Sequence, residues 1–273
     1  MNLSETQKKR LRELGGGLDA EFADAVERDA AFKREETRLK KEARSGLEYL
    51  RSHSQRPGLC RMEAALSEAL IAQGFVQVTT PTIVARSLLA KMGVDDEHDL
   101  FAQVFRLDDK RCLRPMLAPN LYSLLQDLTR LWPLPTRIFE IGSCFRKESQ
   151  GAGHLNEFTM LNLVEWGMPE ADKRRRLGEM AQVVLDAAGL SGWRLQEESS
   201  VVYGDTVDVM LGDVELASGA FGPHVLDGAW GLTGAWMGLG FGLERLVMLK
   251  EGRGNVRAVG KSLSYLDGAR LNI

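Results

Sequence analysis

The order of the strand-like segments along the chain limits which kind of sheet they can form. Such segments fall at 75–80, 137–147, 155–166, 200–211 and 214–221, and most follow one another with connections short enough for hairpins. Parallel strands need a long crossover, usually a helix, between them, and the sequence has no steady strand–helix alternation. We therefore predict an α+β fold in which helices pack on an antiparallel sheet.

Helical periodicity supplies the layers that would cover this sheet. Leucine and methionine recur at helical spacing between Leu59 and Leu70, which predicts an amphipathic helix over 58–73 that ends at Gly74. The same reasoning predicts further helices over 86–92, 117–132 and 172–190.

Residues 1–56 differ from the rest of the chain. They are rich in charge and predict two or three helices, broken by glycines at 15–17. Within 33–44 there are six basic and three acidic residues. This stretch is either a solvated helix face with i,i+4 ion pairs or a basic face that contacts a nucleic-acid backbone.

Composition excludes several classes of protein. The 273 residues carry a net charge of −3, so only a local basic face could bind nucleic acid. There is no apolar run of about 20 residues that could span a bilayer, and the polar N-terminus is not a signal peptide. Three cysteines without a CxxC motif and four scattered histidines predict reduced thiols and no zinc site. We predict a cytoplasmic protein.

The sequence "FRKES" ends one strand of a predicted hairpin, and the return strand begins after a loop. Because side chains alternate along a strand, Arg146 and Glu148 share one face, and Phe158 and Asn162 share one face of the return strand. If these faces coincide, a cation, an acceptor, an aromatic ring and an amide line one groove. The Asn162 amide would then be satisfied either within the protein or by a ligand.

The sequence "GLGFGLERL", 238–246, is a glycine-rich strand that runs into a helix. It is not a dinucleotide fingerprint, because Leu243 stands where glycine is needed, and "GNVRAVGKS" is not a phosphate loop, because Gly254 comes one residue too early. Glycines let a ligand approach the strand backbone, and Arg245 in the first helical turn favours an anion. The alternative is close strand packing with Arg245 in a surface ion pair.

A third cluster consists of acidic residues on a strand pair. Asp205 and Asp208 are followed by Asp213 and Glu215, with Ser218 three residues on. Hard oxygen ligands of this kind would bind Mg²⁺ near phosphates.

These segments occur together in a known order. The helix and strand over 59–81 resemble motif 1 of the class II aminoacyl-tRNA synthetases, "FRKES…HLNEFTMLN" resembles motif 2, and "GLGFGLERL" resembles motif 3. With "CLRPMLAPNLY" and "VYGDTVDVM", the region 46–273 resembles the catalytic domain of the pyrrolysyl-tRNA synthetases. The chain resembles their short form, which lacks a separate N-terminal tRNA-binding domain.

The resemblance implies an ATP-dependent ligation of pyrrolysine, or a related acylated lysine, to its cognate tRNA through an aminoacyl-adenylate, with Mg²⁺. It implies a catalytic domain over 57–273 and a homodimer formed through 59–81. We expect the helical segment 1–56 to contact tRNA through bases such as Lys40, Lys41 and Arg44.

The resemblance also implies a nucleotide site with two catalytic arginines. Arg146 would bind the α-phosphate and the reacting carboxylate, and Arg245 would lie near the γ-phosphate. Glu148 would accept a hydrogen bond from adenine, and Phe158 would stack on the ring. The complete predicted ATP site is Arg146, Glu148, His154, Leu155, Phe158, Glu215, Ser218 and Arg245, with Glu215 and Ser218 as metal ligands.

The amino-acid pocket implied by the resemblance has an apolar wall with few polar groups. Asn162 would bind the side-chain amide of pyrrolysine, and Tyr203 would cap the pyrroline nitrogen. The predicted pocket is Met116, Ala118, Leu121, Tyr122, Leu125, Asn162, Val164, Tyr203 and Trp236.

Two other functions remain open at this point. The chain could be a class II synthetase for another bulky amino acid such as phenylalanine, although Asn162 would then lack a partner. It could also be a non-catalytic paralogue that binds tRNA, although such paralogues usually lose the motif arginines, and Arg146 and Arg245 are both present.

Overall fold

A computed structural model describes residues 1–95, 97–147, 155–200 and 202–273. Its helices are α1 (Glu5–Glu13), α2 (Ala25–Tyr49), α3 (Gly58–Ala72), α4 (Arg86–Ala90), α5 (Asp99–Ala102), α6 (Ala118–Leu131), α7 (Lys173–Ala188), α8 (Leu243–Lys250) and α9 (Val256–Val259). Short 3-10 segments occur at Glu170–Asp172 and Val225–Trp230, and Leu50–Ser54 continues α2 as a π-helical turn. None of the described helices is both long and apolar enough to cross a membrane.

The strands are β1 (Val76–Gln77), β2 (Ile83–Ala85), β3 (Arg111–Leu113), β4 (Thr136–Phe145), β5 (Glu157–Met168), β6 (Arg194–Ser200), β7 (Gly204–Leu211), β8 (Val214–Gly222), β9 (Ala235–Gly242), β10 (Tyr265–Leu266) and β11 (Ala269–Arg270). In the described residues the main sheet has the order β1-β4-β5-β9-β8-β7-β6. Among the described strands of this sheet, only the short β1 pairs in parallel, with β4; the other neighbours are antiparallel. The predicted α+β fold is confirmed.

Two predicted strands differ from those observed. The predicted strand 75–80 is reduced to β1, because the backbone N–H and hydroxyl of Thr80 donate to the Glu140 carboxylate at 3.1 and 2.6 Å. The predicted strand 200–211 starts only at Gly204, after a turn, and β6 precedes that turn. Strand β6 was not predicted, because it is a polar edge strand with little apolar alternation.

The main sheet carries a hydrophobic layer on each face. Helices α3, α7 and α8 cover one face, where Leu161, Leu239 and Phe241 are fully buried. Helix α6 and the segment Val225–Trp230 pack on the other face, against Val164 and the tryptophans of β5 and β9. Because α6 covers only part of this second face, a cavity remains between it and the sheet.

The N-terminal helices pack against the end of the chain. Leu11 and Leu39 belong to a buried cluster that Ile273 adjoins, and the Tyr265 hydroxyl donates to the Glu13 carbonyl at 3.0 Å. The predicted division after residue 56 is not tested by these contacts and stays a prediction.

The basic stretch of α2 contains ion pairs of the kind that the first interpretation predicts. Lys40 pairs with Glu36 at 2.9 Å, and Arg38 pairs with two neighbouring glutamates. Lys41 and Arg44 are exposed and form no ion pair within the described residues. The helix therefore has a self-paired part and a part whose positive charge faces solvent.

Candidate active site

The glycine-rich strand β9 forms the floor of the candidate site. Its alternation places Met237, Leu239 and Phe241 in the core and leaves Trp236 and glycines on the cavity face. Gly240 pairs with Asn162 of β5 and with Ser218 of β8, so these two side chains flank a position without one. A Cβ at position 240 would lie 3.2 Å from the Asn162 Oδ1. The glycines therefore hold open a strip of bare backbone, as the sequence predicted.

A cavity of about 570 Å³ lies above this floor. Its lining includes every predicted amino-acid residue: Met116, Ala118, Leu121, Tyr122, Leu125, Asn162, Val164, Tyr203 and Trp236. Within the described residues, the Asn162 side chain forms no hydrogen bond, so its amide is available to a ligand. The structure thus assembles an apolar cavity with an amide in its wall.

Two tyrosines contribute hydroxyl groups near this cavity. Burial raises the pKa of Tyr122, and the neighbouring Tyr203 and Asp227 raise it further. Burial likewise raises the pKa of Tyr203, with Asp227 as the second cause. Both hydroxyls therefore keep their protons at neutral pH and are hydrogen-bond donors.

A second cavity of about 310 Å³ adjoins the first. The two share Arg146, Met160, Glu215 and Gly240. The second is also lined by three predicted nucleotide-site residues, which are Leu155, Phe158 and Arg245. A ligand group at the junction would face Arg146 from either cavity.

Arg146 is oriented by its surroundings. Its Nε donates to the Pro115 carbonyl at 2.9 Å, and its guanidinium lies 5.4 Å from the centroid of the Phe158 ring. Cys144 and Phe158 are register partners, so alternation does put Arg146 on the face that carries Phe158. The predicted meeting of these two side chains is observed.

The chain that carries Pro115 is itself held by a buried ion pair that sequence reasoning missed. Arg114 and Glu140 are 3% and 1% exposed at the side chain and lie 2.7 Å apart, and Arg114 also donates to the Ser143 carbonyl at 2.8 Å. A Cβ at Gly142 would lie 2.2 Å from the Arg114 Nη2. Breaking a buried ion pair leaves an uncompensated charge, which costs about 3–5 kcal/mol, so the support for Arg146 is rigid.

Arg245 projects from the first turn of α8. Its Nη1 donates to the Glu215 carbonyl at 2.7 Å and lies 3.7 Å from the Glu215 carboxylate. On the same turn the buried Glu244 accepts hydrogen bonds at 2.9 Å from the Thr159 backbone N–H. This bond ties α8 to β5, an anchoring role for Glu244 that the sequence did not indicate. Burial raises the pKa of Glu244.

The predicted metal ligands Glu215 and Ser218 both lie on β8. Glu148 and His154 lie outside the described residues. Glu215 and Ser218 line the first cavity together, and Asp208 is the register partner of Ser218. In the described ranges no group of three or more His, Cys, Asp or Glu side chains could hold a metal ion. A metal there would need ligands from elsewhere, such as phosphate oxygens.

The sequence of the chain identifies its family. Residues 59–267 match the family described as "tRNA synthetases class II core domain (F)". The chain belongs to the class II aminoacyl-tRNA synthetases. The segments that resemble motifs 1, 2 and 3 of these synthetases all lie within the matched range.

Solved structures show which synthetases of this class the chain is similar to over its whole length. The pyrrolysyl-tRNA synthetase from Desulfitobacterium hafniense is 57% identical, with a TM-score of 0.96 over 100% of this chain and 99% of that one. A second structure, of the pyrrolysyl-tRNA synthetase PylSc from the same organism, is 56% identical, with a TM-score of 0.93 and 96% of its chain covered. The predicted resemblance to the pyrrolysyl-tRNA synthetases is confirmed.

More distant synthetases of the class are matched only in part. A threonine--tRNA ligase from Wolbachia sp. subsp. Drosophila simulans is 27% identical over 57% of this chain, and a serine--tRNA ligase from Gluconacetobacter diazotrophicus is 28% identical over 50%. The chain spans 25% and 35% of these relatives' own length.

Proposed function

We propose that the protein ligates pyrrolysine, or a closely related acylated lysine, to its cognate tRNA in an ATP-dependent reaction. The observation that carries this proposal is the pair of adjoining cavities with Arg146 at their junction. One cavity is apolar with an available amide at Asn162, which suits a long acylated side chain. The other is lined by Phe158 and Arg245, which suits a nucleotide.

Arg146 acts where the two substrates meet. A guanidinium presents a planar fork of donors, so it can bind a carboxylate and a phosphate at once. The amino-acid carboxylate attacks the α-phosphate of ATP, the bond to pyrophosphate breaks, and Arg146 stabilises the charge that develops. The hydroxyl of the terminal ribose of the tRNA then attacks the adenylate carbonyl and releases AMP.

Phe158 and Arg245 hold the nucleotide. The Phe158 ring stacks on the adenine, and Arg245 neutralises the terminal phosphates from the first turn of a helix, where the dipole also favours an anion. Glu215 and Ser218 would hold Mg²⁺ together with phosphate oxygens, since both line one cavity and offer hard oxygens. The bound metal would neutralise phosphate charge. Glu148 and His154 are further proposed contacts of the nucleotide.

Pyrophosphate exchange tests the reaction. The purified protein is expected to incorporate labelled pyrophosphate into ATP only when pyrrolysine or an acylated lysine is present, because exchange requires a reversible adenylate. Phenylalanine is the control, because its hydrocarbon side chain leaves Asn162 without a partner. Exchange with phenylalanine alone would favour a synthetase for another bulky amino acid. The absence of exchange with every candidate would leave the non-catalytic paralogue.

We also propose three features by family resemblance. Residues 1–56 contact the tRNA, the element 59–81 forms a homodimer, and the reaction takes place in the cytoplasm. The dimer is supported by apolar side chains that are exposed on this element, namely Ile71 at 54% and Val76 at 46%. The tRNA contact is supported by the exposed bases of α2.

Charge reversal on α2 tests the tRNA contact. The variant Lys41→Glu/Arg44→Glu is expected to raise the KM for tRNA about tenfold, because each lost phosphate contact lowers the affinity for tRNA. The dependence of tRNA binding on salt concentration should also become weaker. Pyrophosphate exchange should be unchanged, because α2 is separate from the cavities. The matched control is Arg174→Glu/Arg175→Glu, a pair of exposed bases on α7 that are neutralised by ion pairs. Equal losses in exchange and charging would refute the contact.

A further inference from the structure

The carboxylate of Asp227 lies behind the amino-acid cavity, in the segment Val225–Trp230. It is only 3% exposed. Its Oδ1 accepts the Tyr122 hydroxyl at 2.9 Å, and its Oδ2 accepts the Trp236 Nε1–H at 2.9 Å and the His224 backbone N–H at 2.7 Å. In the described part of the chain it forms no ion pair, so these donors offset the cost of burying it.

The two ring donors come from different elements and both line the cavity. Tyr122 lies on α6 and Trp236 on β9, and their rings meet edge to face with centroids 6.0 Å apart. An indole N–H can only donate, and a tyrosine has a single hydroxyl hydrogen. Because both hydrogens are used by Asp227, neither ring has a donor left for a ligand.

A second feature fixes the indole in this position. Gly222 is the register partner of Trp236 across β8 and β9. A Cβ at position 222 would lie 1.7 Å from the Trp236 Nε1, so the indole nitrogen lies directly over this glycine. The ring also stacks on Trp166 with centroids 5.4 Å apart. The indole is therefore confined on one side by bare backbone and on the other by a second indole.

We propose that Asp227 is a specificity-determining positioning residue for the amino acid. It does not line the cavity; it acts by turning the polar atoms of Tyr122 and Trp236 away from the ligand and fixing both rings. The cavity then offers carbon surfaces on this wall and leaves recognition of polar groups to Asn162 and Tyr203, which also line it. This inference rests on the proposed function, since it explains why the pocket selects a long apolar side chain that carries an amide.

The variant Asp227→Asn tests the inference. An asparagine has the same shape but replaces one acceptor with an NH₂ donor, so one of the two ring donors loses its partner. The KM for pyrrolysine is expected to rise about tenfold or more, while the KM for ATP and the kcat of exchange stay within about twofold. An amino-acid KM that does not change would overturn the inference, as would equal losses in the ATP and amino-acid parameters.

A double mutant with Tyr122→Phe tests whether Asp227 acts by positioning Tyr122 or has only a general structural role. Tyr122→Phe removes one of the donors to Asp227. Asp227→Asn should therefore raise the amino-acid KM by a smaller factor in the Tyr122→Phe variant than in the wild type, so the two effects should not add. Additive effects would contradict the inference. If Asp227→Asn does not fold, Tyr122→Phe alone must raise the amino-acid KM and not the ATP KM.

An NMR measurement distinguishes failure of this inference from failure of the proposed function. The indole N–H resonance of Trp236, assigned by its loss in Trp236→Phe, should move upfield in Asp227→Asn, whereas those of Trp132 and Trp193 should stay in place. This readout does not depend on activity. If the wild-type protein shows no pyrophosphate exchange, the proposed function is refuted, but the positioning role of Asp227 is not. If the Trp236 resonance does not move, the positioning role of Asp227 is refuted.

Discussion

Replacement of Arg146 by alanine is expected to lower kcat/KM for adenylate formation by about 10²- to 10³-fold, the usual loss when one preorganised donor to a developing charge is removed. The structure supports an effect of this size, because Arg146 lies at the junction of the two cavities and its Nε is fixed by the Pro115 carbonyl at 2.9 Å. Pyrophosphate exchange at varied ATP and amino-acid concentrations measures it.

Two further variants sharpen this prediction. Arg146→Lys should recover little of the loss, because an ammonium is a point charge and cannot bind two oxygens in a fork. Lys147→Ala is the matched control, since it removes the adjacent exposed cation, which lies over Phe105. If Lys147→Ala were as damaging as Arg146→Ala, general positive charge would be responsible, and the assignment to Arg146 would be wrong.

Asn162→Ala is expected to raise the KM for pyrrolysine about 10- to 100-fold, since it removes the available hydrogen-bonding amide from the cavity wall and leaves the ligand's amide unpaired. The KM for ATP should stay the same, because Asn162 lines only the first cavity. The measurement is exchange under saturating ATP.

Val164→Ala serves as the control for cavity size. Val164 lines the same cavity on β5, so its truncation enlarges the pocket without removing a polar group. We expect a smaller effect on pyrrolysine and better acceptance of bulkier acylated lysines. If Asn162→Ala and Val164→Ala behaved alike, the amide would have no special role in recognition.

Local patterns predicted the parts of the site that lie on one strand or one helix. The alternation in "GLGFGLERL" places glycines on one face and Leu239 and Phe241 on the other, and the structure has this arrangement. The leucine spacing of 117–132 predicted a helix that faces the sheet, and α6 does so. Side-chain direction is set by residue periodicity, which is why these predictions succeeded.

The resemblance to class II synthetases predicted residues that periodicity alone could not bring together. Every predicted residue of the amino-acid pocket lines one cavity, although these residues come from the segment before α6, from α6, β5 and β9, and from the turn before β7. Their roles toward a substrate remain predictions, and so does the division after residue 56. The sequence did not decide which bases of the stretch 33–44 form ion pairs, because ion pairing on a helix face depends on side-chain rotamers that the sequence does not specify.

Sequence patterns alone predicted the antiparallel sheet, the open backbone of β9, and the face of the hairpin that Arg146 of "FRKES" shares with Phe158. These follow from the fixed geometry of strands and helices. The contacts that support the site arise from tertiary packing: Arg114 meets Glu140 across 26 residues, and Tyr122 meets Asp227 across 105. Buried polar groups must find partners wherever packing brings them, and no local pattern encodes a contact between residues so far apart in the chain.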